Sequence, residues 1–192
     1  EYAHDYTGII EPGTWRSDPL RNGVVGGGCH AVDLLRWIAG DPQRITAYSN
    51  RKAFPHLEYD DTTIAVMQFP NNVIGKVFVS IGCKREYTMR TVLYGTKGTI
   101  IVDNTNPYML VYKDQFSDSL LEGVRAINAP VKYPISVSNH NTIGEFNEFC
   151  EIVLEDKPVV TTALEGAKTI VACTAIVDSA KELHTIEPDY HF

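Results

Sequence analysis

Apolar and polar residues alternate along much of the chain, most clearly between residues 44 and 112, with the period of two that is typical of half-buried strands. Strands are predicted over residues 1–6, 44–50, 62–69, 73–83, 89–94, 99–102 and 108–112. Turn-forming residues at 70–72 and 95–98 are hairpin signals that join neighbouring strands. Together these patterns predict a mainly antiparallel sheet.

The two faces of the strand predicted over residues 73–83 differ in character. Val77, Val79 and Ile81 share one face, which we expect to lie under helices. The other face is amphipathic and carries Lys76, Phe78 and Ser80. A face of this kind can meet a ligand, a partner sheet or water.

Three helices are predicted around this sheet. The first covers residues 29–39, where Ala31, Leu34, Leu35 and Ile38 recur at steps of three and four, and it ends at Gly40. Two capping boxes, at 142–145 and 162–165, open the others. The core stripe of the last helix is predicted to consist of Ala163, Ala167, Ile170, Val171, Thr174 and Val177. The predicted fold class is α+β: an open, mainly antiparallel sheet with helices packed on one face, and a weakly patterned segment over 114–138.

Composition and charge narrow the function classes. The 192 residues can form one large domain or two small ones, and the net charge of −7 argues against a surface for nucleic acid or anionic membrane. No apolar run approaches the roughly 20 residues that span a bilayer. The four cysteines form no C-x-x-C pair, which predicts reduced thiols and a cytoplasmic protein.

The glycine-dense segment 23–28 runs directly into the first predicted helix and carries the main candidate chemistry. Glycines allow close backbone approach and positive φ, and a helix N-terminus presents free N–H groups with a partial positive charge. That field disfavours an imidazolium at His30, so we expect a neutral ring that can accept a proton. A tight turn with a core-facing histidine is the alternative.

Other chemistries find little support in the sequence. Residues 26–28 do not form a G-x-G-x-x-G fingerprint, and no hydrophobic strand leads into them. The six histidines show no i, i+4 pair, so no metal site is predicted. A serine-hydrolase elbow, G-x-S-x-G, is also absent.

Several motifs in order along the chain resemble those of the Gfo/Idh/MocA oxidoreductases, which are NAD(P)-dependent enzymes acting on sugars, inositols and related polyols. They are Trp15-Arg16-Ser17-Asp18-Pro19, His30-x-x-Asp33-Leu-Leu-x-Trp37-x-x-Gly40, Tyr94-Gly95-Thr96-Lys97-Gly98-Thr99, Glu145-x-x-Glu148-Phe149, and Ala175 with Ser179-Ala180. The resemblance covers residues 1–192 as the family's C-terminal domain. It implies that NAD or NADP binds mainly to an N-terminal Rossmann domain that is not among these residues.

The resemblance also implies roles for individual residues. His30 would be the catalytic acid–base group, although Gly26 stands where the family usually carries an aspartate. Asp33 and Asp18 are possible substitutes for that carboxylate. The residues implied to contact a sugar or polyol substrate are Trp15, Arg16, Asp18, Lys84 and Tyr87.

Finally, the resemblance implies a homo-oligomer that pairs through the open sheet face. Two alternatives stay open within the family. One is a non-catalytic ligand-binding or assembly member, for which Gly26 would mark the loss of chemistry. The other is a member that cleaves glycosides with the help of a recycled nicotinamide.

Overall fold

The structure is a computed structural model that describes residues 1–113, 129–136 and 141–192. The chain divides into two compact units, one of Glu1–Thr88 with Asp156–Phe192 and one of Met89–Glu155. The strands are β1 (Tyr2–Ala3), β2 (Arg44–Asn50), β3 (Thr62–Gln68), β4 (Ile74–Ser80), β5 (Thr88–Gly95), β6 (Gly98–Asp103), β7 (Tyr108–Lys113) and β8 (Val131–Pro134). The helices are α1 (Cys29–Ala39), α2 (Thr142–Glu155) and α3 (Ala163–Glu182).

In the first unit the strands lie in the order β2-β3-β4-β1. The β2–β3 and β3–β4 pairs are antiparallel, whereas β1 runs parallel to β4. The alternation predicted from the sequence is confirmed, because Met67, Val77 and Val79 are buried while Val66 and Lys76 are exposed. Ser80 differs from expectation: it is buried, with its hydroxyl 3.2 Å from that of Thr62 and β1 beside it.

Helices α1 and α3 pack together, and α3 also packs on β2. Helix α1 has the predicted bounds, but its buried face is formed by Ala31, Val32 and Arg36, and the predicted Ile38 is exposed. The predicted stripe of α3 is also wrong. The residues that α3 buries are Thr169, Ala172, Cys173, Ala175, Ile176 and Ser179.

Polar side chains explain why these faces differ from the apolar pattern. Thr169 Oγ1 lies 2.6 Å from Nη1 of Arg36, and Ser179 Oγ accepts from the backbone N–H of Ala47 at 3.0 Å. Small hydroxyl-bearing residues therefore face the core of this unit, and larger apolar residues such as Ile170 lie at its edge.

The second unit contains the strand pairs β5–β6, β6–β7 and β7–β8, all antiparallel. Strand β8 was not predicted; it lies within the weakly patterned segment, of which residues 114–128 and 137–138 fall outside the described part. Helix α2 begins at Thr142, but the capping group is Asn141, whose side-chain oxygen accepts from Gly144 N–H. The capping box predicted at Thr142 is therefore wrong, whereas the box at Thr162 is confirmed by its bond from Glu165 N–H.

The fold class is α+β, as predicted, since three helices accompany strands that are mainly antiparallel. Within the two units, and among the described residues, β1–β4 is the one parallel pair. No helix in the described part of the chain is long and apolar enough to cross a membrane.

Candidate functional site

The glycine-dense segment is helical and does not use the positive φ that its glycines allow. Residues Val24–Gly28 form a π-helical turn that continues directly into α1, and both Gly23 and Gly28 have φ near −60°. The glycines are instead explained by what a Cβ would meet. The closest atoms to a Cβ added at Gly26, Gly27 and Gly28 are Arg21 Nη2 at 2.5 Å, Tyr2 Cζ and Oη at 2.7 Å, and Val79 Cγ2 at 2.5 Å.

Each of these spaces is filled by a side chain of this domain, so the glycine segment forms a packed helical turn. The N–H groups of Val24 and Gly26, which a phosphate would contact, are already bonded to Asn22, so the described residues of this turn do not form a dinucleotide site. Gly26 in particular is covered by the Arg21 guanidinium, which donates to its carbonyl oxygen at 3.2 Å.

The helical run that carries His30 begins well before it. The side chain of Asn22 accepts from Val24 N–H at 2.8 Å, and its carbonyl accepts from Gly26 N–H at 2.8 Å. The free N–H groups of the helix are thus at its start, more than a turn away from His30. The expectation that a helix N-terminus acts directly on His30 is wrong for this reason.

His30 is exposed and lies at the edge of a group of aromatic rings. We call Tyr2, His4, Tyr6, His30 and Tyr87 the aromatic cluster. The ring centroids of Tyr2 and His30 are 6.4 Å apart, and those of Tyr2 and Tyr87 are 5.6 Å apart. His4 lies 4.9 Å from both Tyr6 and Tyr87. All five residues belong to the first unit.

Hydroxyl groups connect the buried part of the aromatic cluster. Tyr2 Oη is 2.9 Å from Tyr6 Oη and 3.5 Å from Nδ1 of His4. Burial raises the pKa of Tyr2, and the hydrogen bond with Tyr6 adds to the effect, so the phenol stays protonated. Burial lowers the pKa of His4, which favours a neutral imidazole. The buried part of the cluster therefore offers neutral groups that can donate or accept hydrogen bonds.

Three cluster residues, Tyr2, His4 and Tyr6, were missed in the sequence. The signal that could have found them is the pattern Tyr-x-His-x-Tyr, because alternate residues of a strand lie on one face. A strand of a few residues carries little periodicity, so the pattern alone does not single out these side chains.

The two residues predicted to bind substrate from the 83–87 segment have different surroundings. Tyr87 is half-buried in the aromatic cluster. Lys84 Nζ is instead occupied, 3.2 Å from Asp5 Oδ1 and 2.6 Å from Thr7 Oγ1. The bonds from Thr7, with those from Lys84, lower the pKa of Asp5 to about 2. Lys84 thus has a local ion-pair partner.

The predicted substrate loop around Trp15 is built on cation–π contacts. The guanidinium carbons of Arg16 and Arg21 lie 4.2 Å and 4.1 Å from the Trp15 ring centroid. The carbonyl of Arg16 accepts a short hydrogen bond from the buried Tyr59 hydroxyl, which fixes the loop. Asp18 Oδ1 accepts from the N–H of the next-but-one residue at 2.8 Å, which forms a local turn.

Neither candidate carboxylate contacts His30. Asp33 accepts a short bond from Thr169 Oγ1 and lies 3.5 Å from Arg36, so it faces α3. Asp18 is engaged by its own loop. Among the described residues, no carboxylate lies within ion-pair distance of the His30 ring. The thiol of Cys29, next to it, has a pKa raised by burial and so is no thiolate candidate.

No group of three or more metal-ligating side chains occurs within the ranges that the structure covers. A polar cavity of about 330 Å³ lies elsewhere in the first unit, beside Arg21, Tyr59 and the C-terminal half of α3.

A family model described as the GFO/IDH/MocA C-terminal domain matches residues 1–101 of this chain. No curated protein matches the chain.

Solved structures share the fold over nearly all of the chain. Levoglucosan dehydrogenase in complex with NADH and levoglucosan superposes with a TM-score of 0.78 and 18% identity, over 99% of this chain and 58% of that one. Aldose-aldose oxidoreductase from Caulobacter crescentus, complexed with glycerol, superposes with a TM-score of 0.75 and 16% identity, over 97% of this chain and 54% of that one. For an NAD binding oxidoreductase from Klebsiella pneumoniae the TM-score is 0.75 and the identity 16%, over 98% of this chain and 57% of that one. The chain spans little more than half the length of these proteins.

Proposed function

The chain belongs to the GFO/IDH/MocA family through its C-terminal domain, and from this premise we propose that it is the substrate-binding and oligomerisation domain of an NAD(P)-dependent oxidoreductase. The proposed substrate is a sugar, an inositol or a related polyol. The structural neighbours support this proposal, because they include dehydrogenases solved with NADH and with the sugars levoglucosan and L-sorbose. The nicotinamide cofactor, NAD or NADP, would be bound mainly by another domain.

The observation that carries the proposal is the exposed ring of His30 at the edge of the aromatic cluster. An unprotonated imidazole nitrogen at that place can take the proton of a substrate hydroxyl when the carbon that bears it is oxidised. Tyr2 packs against the glycine turn that precedes His30 and so fixes the backbone that carries it. Tyr87, and more weakly the loop of Trp15, Arg16 and Asp18, would border the bound sugar.

Lys84 keeps a substrate role in this proposal only if substrate displaces its contacts with Asp5 and Thr7.

A non-catalytic ligand-binding or assembly role is the second candidate. It is favoured by one observation, that no described carboxylate orients His30. A glycoside-cleaving role would use the same site and is separated from oxidation by substrate screening.

The four free thiols support the proposal of a reducing, cytoplasmic location.

The oligomerisation role is supported by the uncovered face of the first unit's sheet. Cross-strand register places Tyr48, Ile64 and Phe78 in one row, and Val66 beside Lys76 in the next. Tyr48 is 65% and Val66 57% exposed, so both rows present apolar groups to solvent. A contiguous apolar face of this kind is typical of a protein contact surface.

The test of the proposed chemistry is His30→Ala in the full-length enzyme that contains this domain. We expect kcat to fall by roughly 10²–10⁴ with little change in cofactor affinity, because the proton acceptor is lost. The matched control is His191→Ala, an exposed histidine at the end of the chain. A folded His30→Ala enzyme with kcat and kcat/KM within about threefold of the parent would assign His30 to structure. A full-length parent without turnover on any sugar or polyol, with either NAD or NADP, would instead favour the non-catalytic role.

A further inference from the structure

Helix α1 packs against α3, β4 and the π-helical turn along one side. The residues that α1 buries lie on that side: Ala31, Val32 and Arg36. At about 3.6 residues per turn, His30, Leu34 and Trp37 project from the opposite side of the helix. We call these three residues the outer face of α1. The exposed ring of the candidate site is therefore part of a longer helix face.

Trp37 is the unusual member of the outer face, because 82% of its surface is exposed. Tryptophan has one of the largest apolar surfaces of any side chain and is highly buried on average. Ile38, at the border of the same face, is 43% exposed. An exposed tryptophan beside other apolar groups is typical of the centre of a protein contact surface.

The charged residues of α1 do not belong to the outer face. Arg36 is buried and donates to Asp41 and Glu165. Asp33 accepts a short bond from Thr169 and so faces α3. The outer face thus consists of one imidazole and two apolar side chains. Such a face suits the apolar surface of another protein domain better than a charged ligand.

The position of His30 identifies the domain that would cover this face. The described residues of the glycine turn do not form a dinucleotide site, so the proposed oxidation needs a cofactor that another domain holds. More than two fifths of the length of each solved neighbour lies outside the part that this chain matches. A substrate carbon within reach of both His30 and the cofactor requires that other domain to lie against the His30 end of α1.

We propose that the outer face of α1 is the docking surface for the dinucleotide-binding domain of the full-length enzyme, with Trp37 as its apolar anchor. This rests on the proposed oxidoreductase function, because that function places a second domain at His30. Trp37 lies about 10 Å beyond His30 along the helix axis. A domain of 100 residues has a radius of gyration of about 13 Å, so a single domain can cover both residues.

The test is hydroxyl-radical footprinting, in which mass spectrometry measures the oxidation rate of each side chain. Trp37 should be oxidised at least about fivefold more slowly in the full-length enzyme than in the 192-residue chain, because the centre of an interface excludes water. Tyr94 is 84% exposed and lies outside α1, so it is the internal control and should be oxidised at equal rates in both proteins. Each protein is measured at several concentrations, since a second copy of the chain would protect Trp37 only as the concentration rises.

A variant then tests Trp37 as the anchor. Trp37→Gln should leave the urea stability of the 192-residue chain unchanged, because the side chain is exposed and glutamine favours a helix. In the full-length enzyme it should raise the oxidation rate of Leu34 at least about twofold, because the contact around the lost anchor opens to water. The matched control is Tyr94→Gln, which removes an equally exposed aromatic ring and should leave the oxidation rate of Leu34 unchanged.

Three results would overturn the docking proposal. They are equal oxidation of Trp37 in the two proteins, protection of Trp37 that depends on concentration in the 192-residue chain, and equal effects of Trp37→Gln and Tyr94→Gln on Leu34. None of these measurements depends on turnover. If one of them occurred while His30→Ala abolished turnover, the oxidoreductase function would stand and its cofactor domain would dock elsewhere. Protection of Trp37 with unchanged turnover in His30→Ala would instead support the docking surface and contradict the catalytic role of His30.

Discussion

Replacing Arg36 with methionine should lower the free energy of unfolding of the first unit by about 2–4 kcal/mol. Arg36 is only 6% exposed, although it carries a charge. Its Nε and Nη2 donate to Asp41 Oδ1 at 2.8 and 2.5 Å, and Nη1 donates to Thr169 at 2.6 Å. A further bond of 3.0 Å reaches Glu165, so one side chain connects α1 to α3.

The magnitude follows from what the substitution removes and what it keeps. Methionine retains most of the apolar length of arginine, so the loss is mainly electrostatic. Removing one partner of a buried ion pair costs about 3–5 kcal/mol, and each hydrogen bond to a charged group is worth about 1.5–3 kcal/mol. The carboxylates of Asp41 and Glu165 are one-third to one-half exposed and regain water, which brings the expected cost below the sum of these values.

Urea unfolding followed by tryptophan fluorescence and far-UV circular dichroism measures this cost. Both tryptophans, Trp15 and Trp37, belong to the first unit, so fluorescence reports on that unit alone. Arg44→Met is the matched control, because Arg44 is exposed and pairs with exposed Glu187 at 3.6 Å. The control should change stability by no more than about 0.5–1 kcal/mol.

The same variant has a pH signature. Lys168 and Arg36 lower the pKa of Glu165, so their stabilisation is present above the ordinary pKa of a glutamate and is lost as the pH falls through the lowered value. The difference in the free energy of unfolding between the parent and Arg36→Met should therefore become smaller in acid. A cost below about 1 kcal/mol at neutral pH, or one equal to that of Arg44→Met, would refute the role of Arg36 as the link between α1 and α3.

The remaining predictions concern the glycine turn, the cofactor and the open sheet face. Gly27→Ala should destabilise the chain by about 1–3 kcal/mol, because its Cβ would lie 2.7 Å from Tyr2. The control is Gly166→Ala, whose Cβ would have nothing within 4 Å and which should be neutral or stabilising in the same urea assay. Equal effects of the two substitutions on the free energy of unfolding would contradict this prediction. Calorimetry of the 192-residue chain with NAD and NADP should show no micromolar binding, and a micromolar dissociation constant would disprove the assignment of the cofactor to another domain. Phe78→Asp should dissociate the oligomer in sedimentation equilibrium, since a symmetric contact repeats the change on both copies; a parent chain that is monomeric at tens of micromolar would exclude this interface.

Local periodicity predicted the elements well. Strand β2 and helix α1 have the predicted bounds, because alternation over residues 44–50 and a Gly-Asp-Pro stop at residue 40 are strong local signals. The alternation of β4 was also predicted for Lys76 to Val79, since a strand's side chains alternate whatever lies beyond them, but the burial of Ser80 beside β1 was not.

The buried faces of the helices could not be predicted in the same way. Apolar spacing favoured Ile38 and Ile170, yet the structure buries Arg36 and Thr169 in their place. The burial of Arg36 depends on Asp41 and on residues more than 120 positions away, such as Glu165. A partner at that separation leaves no periodic signal, so the energetic reason for the buried charge is visible only in the fold.

The candidate site shows the same division between local and long-range information. The sequence singled out the glycine segment and His30, but attributed the glycines to positive φ and to a free helix end. In the structure the glycines, which lack a Cβ, allow Arg21, Tyr2 and Val79 to pack closely against a continuous helical turn. Those three side chains come from a loop and two strands, so their convergence is a tertiary property. The turn therefore positions His30 by packing against this domain's own side chains, which is why the chemistry of the site must be sought in the rings around His30.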